Sequence, residues 1–266
     1  MKAKNEEFLY QLMWTCDQAA RPTFRNLTDS FEQWAYRNGL SRQLAELTRR
    51  KLIEQEAAAS QRRLDRAVRL TKAGRVQALG GRDPDVCWNR AWDGRWRLVM
   101  FDIPNDDSKT RDRLRRYLRQ HEFGCLQQSV WITPHAVAKE EDLLADARID
   151  VTSLILMEAR PCAGETDEEI VLGAWDFKEI NQRYAEHLKT LKTRPKTKLR
   201  DSSTTKRFHT WCKRELAAWK HAISIDPLLP SGLLPDGYLG QTAWKERLSA
   251  MRAAGKLMRN FLPQPE

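Results

Sequence analysis

Residues 96–134 read WRLVMFDIPNDDSKTRDRLRRYLRQHEFGCLQQSVWITP, and this stretch decides the fold. An apolar strand at 97–101 leads directly into a carboxylate, Asp102. A polar loop, a basic amphipathic helix at 108–121 and a second strand at 128–133 follow. An acid at the end of a buried strand is often a place of chemistry, and the alternative is that Asp102 only caps or tethers the following loop. Both interpretations of Asp102 stay open at this point.

Downstream of this stretch the pattern continues as a helix at 139–147 and an almost wholly apolar strand at 152–159. Ser108 is placed to cap the first helix of the unit. The unbroken apolar character of 152–159 is typical of a central strand. The order strand, helix, strand, helix, strand predicts an α+β class and a central ferredoxin-like module over 92–163.

Upstream, helices are predicted at 6–20, 24–36 and 41–51, followed by a basic hairpin strand at 61–70. Leu52 and Ile53 are assigned to the apolar face of the third helix. Three short helices and a basic hairpin form a winged helix-turn-helix pattern, so residues 1–80 are predicted to be a DNA-binding domain. A basic packing module that never meets DNA is the alternative. Residues 81–95 are expected to be a linker.

From residue 165 onward the pattern is helical, and 165–266 is predicted to be a mostly helical C-terminal domain. Helices are expected at 175–191, 208–223 and 241–259, with a loop over 190–205. Residues 226–240, DPLLPSGLLPDGYLG, form an apolar turn segment punctuated by prolines.

The charge is unevenly distributed along the 266 residues, which carry a formal net charge of +10. Counting Lys and Arg against Asp and Glu gives +6 for 1–80, −2 for 81–165 and +6 for 166–266. Basic ends favour a polyanionic partner, with a merely solubilising surface as the alternative. The five cysteines include no CxxC pair, so paired-cysteine zinc and a disulfide framework are disfavoured. No membrane span or secretory signal is recognised, and a cytoplasmic protein without a cofactor is expected.

The predicted DNA-binding side chains lie on the third helix and on the hairpin. Arginine and glutamine on a helix in the major groove can read base edges, while hairpin arginines contact phosphates. The residues are Ser41, Arg42, Gln43, Glu46, Arg49 and Arg50 for the helix, and Arg62, Arg63, Arg66 and Arg69 for the hairpin.

Several motifs resemble the PaaX family, repressors of phenylacetate-degradation genes. They occur in the family's order along nearly the whole chain. They are LTKAG at 70–74, WDGRWRLVMFDIP at 92–104, SVWITP at 129–134, AWDF at 174–177, NQRY at 181–184 and the segment at 226–240.

The resemblance implies a transcriptional repressor without enzymatic activity. It implies a homodimer on the two half-sites of a palindromic operator in double-stranded DNA, released by an acyl-CoA such as phenylacetyl-CoA. A CoA thioester requires basic and aromatic groups together, and the candidates are Trp175, Arg183, Tyr184, Arg207 and Trp211. The alternative is that Trp175 and Trp211 are core residues of a helical bundle.

The central module also resembles the small subunit of the CRISPR adaptation complex, in which an aspartate ends the first strand and two copies meet across a dimer axis. Asp102 holds the matching position, so the resemblance adds a metal-dependent nuclease using Asp102 across a dimer interface as an alternative function. A scaffold that binds RNA through its basic ends is a third interpretation.

The chain departs from the family pattern in two places. The helix sequence SRQLAELTRRKL at 41–52 is more polar than expected, which puts the operator in question. The basic loop RPKTKLRDSSTTKR at 194–207 is longer than a plain turn requires.

Overall fold

The computed structural model describes residues 41–56, 67–78, 81–104, 106–137, 154–196 and 202–259. The helices predicted at 6–20, 24–36 and 139–147 lie outside these residues. Contacts divide the chain into two compact units. The first unit comprises 1–83, 183–224 and 240–266, and the second comprises 84–182 and 225–239. Residues 225–239 thus group with the central sheet, whereas the sequence placed them with the C-terminal helices; the three-domain division stays a prediction.

In the first unit, the described part of the N-terminal region is a helix, a two-stranded ladder and a second helix. These are α1 (Ser41–Arg49), β1 (Ile53–Glu56), β2 (Ala67–Leu70) and α2 (Lys72–Ala78). The third predicted helix is confirmed by α1. Ile53 opens a strand instead of extending the helix face, because the chain turns at Lys51, which has a positive φ of 54°.

The second unit is built on a four-stranded antiparallel sheet. The strands are β3 (Trp96–Phe101), β4 (Gly124–Gln127), β5 (Val130–Thr133) and β6 (Leu154–Ala159), and their order in the sheet is β4-β5-β3-β6. Between β3 and β4 runs a helix, and two more helices flank the sheet in sequence. They are α3 (Pro84–Trp88), α4 (Ser108–Gln120) and α5 (Asp167–Ala174). Mixed helix and antiparallel sheet confirm the α+β class, and the strand order agrees with the predicted ferredoxin-like module.

The core of the second unit lies between α4 and one face of the sheet. Val99, Phe101 and Trp131 of the sheet pack with Leu114 and Leu118 of α4, and all five side chains are buried. Because side chains alternate along a strand, Leu98 and Met100 point to the opposite face. Helix α4 is amphipathic: its leucines face the sheet, whereas Arg113, Arg116 and Arg119 are exposed.

Four local predictions in this unit differ from the structure, although for the strand expected at 128–133 only the start is wrong. Residues 81–95 are not only a linker, because α3 buries Cys87 and Trp88. The strand expected at 128–133 is shorter and follows an additional strand, β4, in a hairpin. The N-cap of α4 is Asp107 rather than Ser108, since the Asp107 carboxylate accepts a hydrogen bond from the Thr110 amide at 3.1 Å.

The fourth error concerns β6, which is an edge strand and not a central one. Its apolar sequence resembles a strand buried on both faces, but the side chains of Ile155 and Met157 are 51% and 42% exposed. The sequence of the strand shows which residues are apolar, but it does not show which face of the strand packs against the rest of the fold.

The helices of the C-terminal third are α6 (Phe177–Lys192), α7 (Ser202–Ile223) and α8 (Gly240–Arg259). Helix α7 begins six residues before the predicted 208, and α5 was missed by the sequence reading. A capping box starts α5, in which the Thr166 hydroxyl accepts from the Glu169 amide while the Glu169 carboxylate accepts from the Thr166 amide. No helix among the described residues is long and apolar enough to cross a membrane.

The apolar turn segment is confirmed and includes a 3-10 turn, Ser231–Leu233. Buried Asp226 accepts hydrogen bonds from the Leu228 amide at 2.8 Å and the Tyr238 hydroxyl at 2.5 Å. The Asn181 side chain bridges the backbone of Gly237 and Leu239. These bonds close the segment on itself and on the start of α6, within the second unit.

Gly124 provides the first testable prediction. A Cβ at this position would lie 2.6 Å from the ring of Trp175 and 2.7 Å from the Ala174 side chain. Gly124→Ala therefore forces the indole or the strand to move, and we expect a loss of about 1–3 kcal/mol of stability. Gly232→Ala is the matched control in the same unit, since no atom lies within 4 Å of its added carbon. Thermal melting of both variants measures the difference in stability. Equal melting temperatures would contradict the close packing of Gly124 against Trp175 and Ala174.

Candidate functional site

Helix α1 carries the residues predicted to read DNA bases. Leu47 is buried on the inner side of the helix, while Arg42, Arg49 and Arg50 are exposed. Ser41 and Gln43 lie on the same helix, and the structure describes their backbone only. The helix thus has one buried face, which contains Leu47, and one exposed basic face. A helix that binds in a DNA groove requires this arrangement.

Glu46 is half-buried and holds two of the predicted DNA-binding arginines. Its carboxylate accepts hydrogen bonds from Arg49 at 2.8 Å and from Arg50 at 2.6 Å. These two hydrogen bonds, Arg50 first and Arg49 second, lower the pKa of Glu46 below its ordinary value. Because such surface pairs stabilise a protein by less than about 1 kcal/mol, their effect is mainly to fix where the two guanidinium groups lie.

The LTKAG motif closes the ladder behind this helix. The Thr71 hydroxyl donates to the Lys51 carbonyl at 2.8 Å and accepts from the Gly74 amide at 3.0 Å. A Cβ on Gly74 would lie 1.8 Å from the Leu52 carbonyl oxygen, so only glycine allows α2 to approach the chain there. The motif therefore joins the end of α1, the ladder and α2.

The hairpin arginines are described only in part. Arg69 lies in β2 and pairs in register with Glu54 of β1, but its side chain is not described. Arg62, Arg63 and Arg66 lie outside the described residues. Their assignment to phosphates stays a prediction.

The structure divides the predicted effector residues between the two units. Trp175 caps the end of α5 in the second unit, where its ring lies 6.3 Å from that of Trp96 and against Gly124. Arg183, Tyr184, Arg207 and Trp211 belong to the first unit.

Two of those four side chains are buried. Tyr184 is wholly buried with its ring 6.1 Å from that of Trp219, and Trp211 donates from Nε1 to the Thr190 carbonyl. Arg183 donates to the His221 carbonyl and the Ser224 hydroxyl, while Arg207 is exposed. Tyr184 and Trp211 therefore contribute to the helical core, as the alternative for Trp211 predicted.

A buried polar cluster that the sequence reading missed lies among α6, α7 and α8. Glu215 Oε1 lies 2.9 Å from His187 Nε2 and accepts a hydrogen bond from Arg247 Nε at 2.7 Å. All three side chains are wholly buried, and the Arg247 guanidinium lies 4.6 Å from the ring centre of Trp219. A signal existed in the sequence: each of the three occupies the apolar stripe of its helix, beside Tyr184, Trp211 or Trp244.

Burial dominates the protonation of this cluster. Burial, followed by the charge of Arg247, lowers the pKa of His187 to about 3. Burial also raises the pKa of Glu215, against the opposing charge and hydrogen bond of Arg247. His187 is therefore a neutral imidazole, and its Nε2–H tautomer donates to Glu215 Oε1.

Asp102 follows β3 as predicted, and its side chain is exposed. Among the described residues there is no group of three or more His, Cys, Asp or Glu side chains arranged to hold a metal ion. One exposed carboxylate is no reason to favour the nuclease over a regulator.

The titration of His187 provides a second prediction. The imidazole takes up a proton near pH 6.5 in the unfolded chain and near pH 3 in the folded one. Between these values the unfolded state binds more protons, so stability falls as the pH falls. His187→Gln keeps a hydrogen-bond donor for Glu215 but does not titrate, so we expect a smaller loss of stability from pH about 7.5 to about 5. Urea denaturation at the two pH values measures this, and Glu215 contributes equally to both proteins. Parallel losses in both would refute the assignment.

Comparisons with known proteins agree with the motifs. The model of the PaaX protein central Cas2-like domain matches residues 89–171, and that of the PaaX-like protein C-terminal domain matches residues 175–262. No curated protein matches the chain. Among solved structures, the uncharacterized protein Rv0674 from Mycobacterium tuberculosis is similar in fold, with a TM-score of 0.57 and 20% identity over 94% of this chain and 97% of that one.

The two family models follow each other in the order of their names and together span more than half of the chain. The motifs at 92–104, 129–134 and 226–240 lie within them, and so does the motif at 174–177 apart from Ala174. The chain belongs to the PaaX family of transcriptional regulators.

Proposed function

We propose that the protein is a DNA-binding transcriptional repressor that acts as a homodimer on a palindromic operator. The observation that carries the proposal is the exposed basic face of α1, with Arg42, Arg49 and Arg50, in a chain whose remainder is of the PaaX family. A winged helix-turn-helix made from residues 1–80 would place α1 in the major groove and the hairpin arginines at the phosphates.

The proposed effector is an acyl-CoA of the phenylacetyl-CoA kind, and its support is family membership. The exposed Arg207 and the half-buried Arg183 remain the candidate partners for its phosphates. A regulator of this kind acts where the chromosome is, in the cytoplasm.

The dimer is proposed to form through the central module, on the sheet face opposite α4. Across β3 and β6, Leu98 lies directly opposite Met157, and Met100 lies opposite Ile155. These four side chains form an apolar strip that ends at an edge strand. Exposed apolar strips at sheet edges invite pairing with another chain, and a second copy of the same strip satisfies the two-fold symmetry that a palindrome requires.

The DNA-binding proposal is tested by selecting bound duplexes from a random pool and measuring their affinity. Arg42→Ala together with Gln43→Ala removes two proposed base contacts, each worth about 1–3 kcal/mol of discrimination. We expect specific binding to be abolished and release by phenylacetyl-CoA to be lost with it, while thermal melting stays unchanged. Substituting Arg62 and Arg63 with Ala should instead weaken binding to all sequences and flatten the salt dependence. Specific binding by the α1 double variant would show that α1 is not the reading helix.

The dimer proposal makes a separate prediction. Ile155→Asp and Met157→Asp each place a charge in the apolar strip, where desolvation without a partner is costly. We expect either variant to be monomeric by light scattering and to lose affinity for a palindrome more than for a half-site. Val86→Asp is the control, since Val86 is also exposed and lies in the same unit. A variant that stays dimeric would place the interface elsewhere.

A further inference from the structure

Helix α4 concentrates positive charge that the proposed function does not use. Its 13 residues, SKTRDRLRRYLRQ, contain six cations and one acid. The segment 81–165 has a net charge of −2, so without the +5 of this helix the rest of the segment would carry −7. A basic helix inside an otherwise acidic region is a local feature that needs its own explanation.

Three of these arginines form a row along the helix, at positions 111, 115 and 119. Residues four apart lie on the same side of a helix, with a rise of about 6 Å from each to the next. We call Arg111, Arg115 and Arg119 the arginine row. Arg116 lies beside it and is exposed.

Neutral groups orient Arg115 and Arg119 of the arginine row. The Arg115 guanidinium donates to the Gln128 carbonyl from Nε at 3.3 Å and from a terminal nitrogen at 3.0 Å. The Arg119 guanidinium lies 5.3 Å from the ring centre of Trp131. Arg111 donates to the Pro104 carbonyl at 3.2 Å. Carbonyls and an indole ring orient a guanidinium without cancelling its charge.

Other arginines of the described chain meet carboxylates instead. Arg97 contacts Asp93 and Glu158, Arg247 contacts Glu215, and Arg49 and Arg50 contact Glu46. The N-terminal end of α4 is also partly neutralised, because Asp107 caps it within Coulomb range of Arg111 and Arg113. The uncancelled charge is thus greatest at Arg115 and Arg119, in the second half of the helix.

We propose that the arginine row is a second contact surface for double-stranded DNA, which binds backbone phosphates independently of sequence. Guanidinium groups match phosphate oxygens in geometry, and pre-positioned ones lose less entropy on binding. A straight row of like charges fits the regular charge of a nucleic-acid backbone. Duplex DNA is favoured over RNA because α1 has the basic face that a major groove accepts. The inference rests on the proposed function and adds phosphate contacts in the central module.

The test measures the salt dependence of affinity of the full-length protein for a random duplex. The variant is Arg115→Gln with Arg119→Gln. Each phosphate contact contributes about 0.9 to the slope of log affinity against log salt. Losing two contacts reduces the slope by about 1.8, so between about 50 and about 200 mM salt the variant should lose about tenfold less affinity than the wild type. Arg115→Lys with Arg119→Lys keeps the charge but not the bonds to Gln128, and it should retain most of the wild-type slope.

Two further variants make the result interpretable. Arg116→Gln removes an exposed charge and none of the bonds that orient the row, so it should lower the slope by up to about 0.9 without altering thermal melting. Arg214→Gln with Lys245→Gln removes two exposed charges from α7 and α8 and should leave the slope unchanged.

The outcomes separate this inference from the proposed function. A wild-type protein that does not bind duplex DNA would overturn both. A wild-type protein that binds duplex DNA, with the same slope in the Arg115/Arg119 glutamine variant and in Arg116→Gln, would overturn the inference alone. If the glutamine variants lose affinity for single-stranded RNA only, and bind duplex DNA as the wild type does, the inference is also overturned. A reduced slope in the glutamine variants, kept by the lysine pair, supports it.

Discussion

The second unit depends on one buried guanidinium, that of Arg97 in β3. Its terminal nitrogens reach Asp93 before the strand at 2.5 Å, Glu158 of β6 at 3.0 Å and the Pro134 carbonyl after β5 at 3.3 Å. A buried charge without partners would cost several kcal/mol, so all three segments are held where they meet it. Arg97, more than any other contact, lowers the pKa of Asp93 to about 2, which keeps this partner ionised across the physiological range. This constraint explains the WDGRWR motif as a structural element, because its aspartate, Asp93, and its second arginine, Arg97, form the pair.

The contacts of Arg97 position the two surfaces to which function is assigned. Glu158 is held by Arg95 and Arg97, and this fixes β6 at the sheet edge in a register that sets Ile155 and Met157 on the face opposite α4. On the other face, Val99 and Phe101 pack against Leu114 and Leu118 of α4. The side of α4 that does not contact the sheet carries arginines. An apolar strip and a basic row therefore lie on opposite sides of one sheet, as a module requires if it pairs with a copy of itself and also meets a polyanion.

Local patterns predicted most of the elements, and long-range contacts account for what they missed. Helical spacing located α1, α4 and α8 closely, because their apolar stripes are complete in sequence. The edge position of β6 could not be predicted from the sequence, because LILMEA is apolar on both sides. Its neighbour in the sheet, β3, is also distant in sequence. The cluster of His187, Glu215 and Arg247 was missed for the same reason: each is a single polar residue on an apolar stripe, and only the fold brings the three together. The pairing of Glu46 with Arg49 and Arg50 is local, at spacings of three and four, and could have been predicted.

The arginines of this chain fall into two physical classes, and the distinction bears on function. Arg97 and Arg247 are buried against carboxylates, which neutralise their charge inside the fold. Removing either guanidinium would leave a carboxylate without its positive partner. Arg115 and Arg119 are held by a carbonyl and an indole, which restrict their motion without neutralising their charge. Arg49 and Arg50 lie between these classes, because Glu46 positions them on an exposed face where a phosphate or a base can compete for them. Net charge alone cannot separate a solubilising surface from a binding one, but the partner of each guanidinium helps to do so. A guanidinium that is oriented without being neutralised binds an anion more readily than one that must first leave a carboxylate.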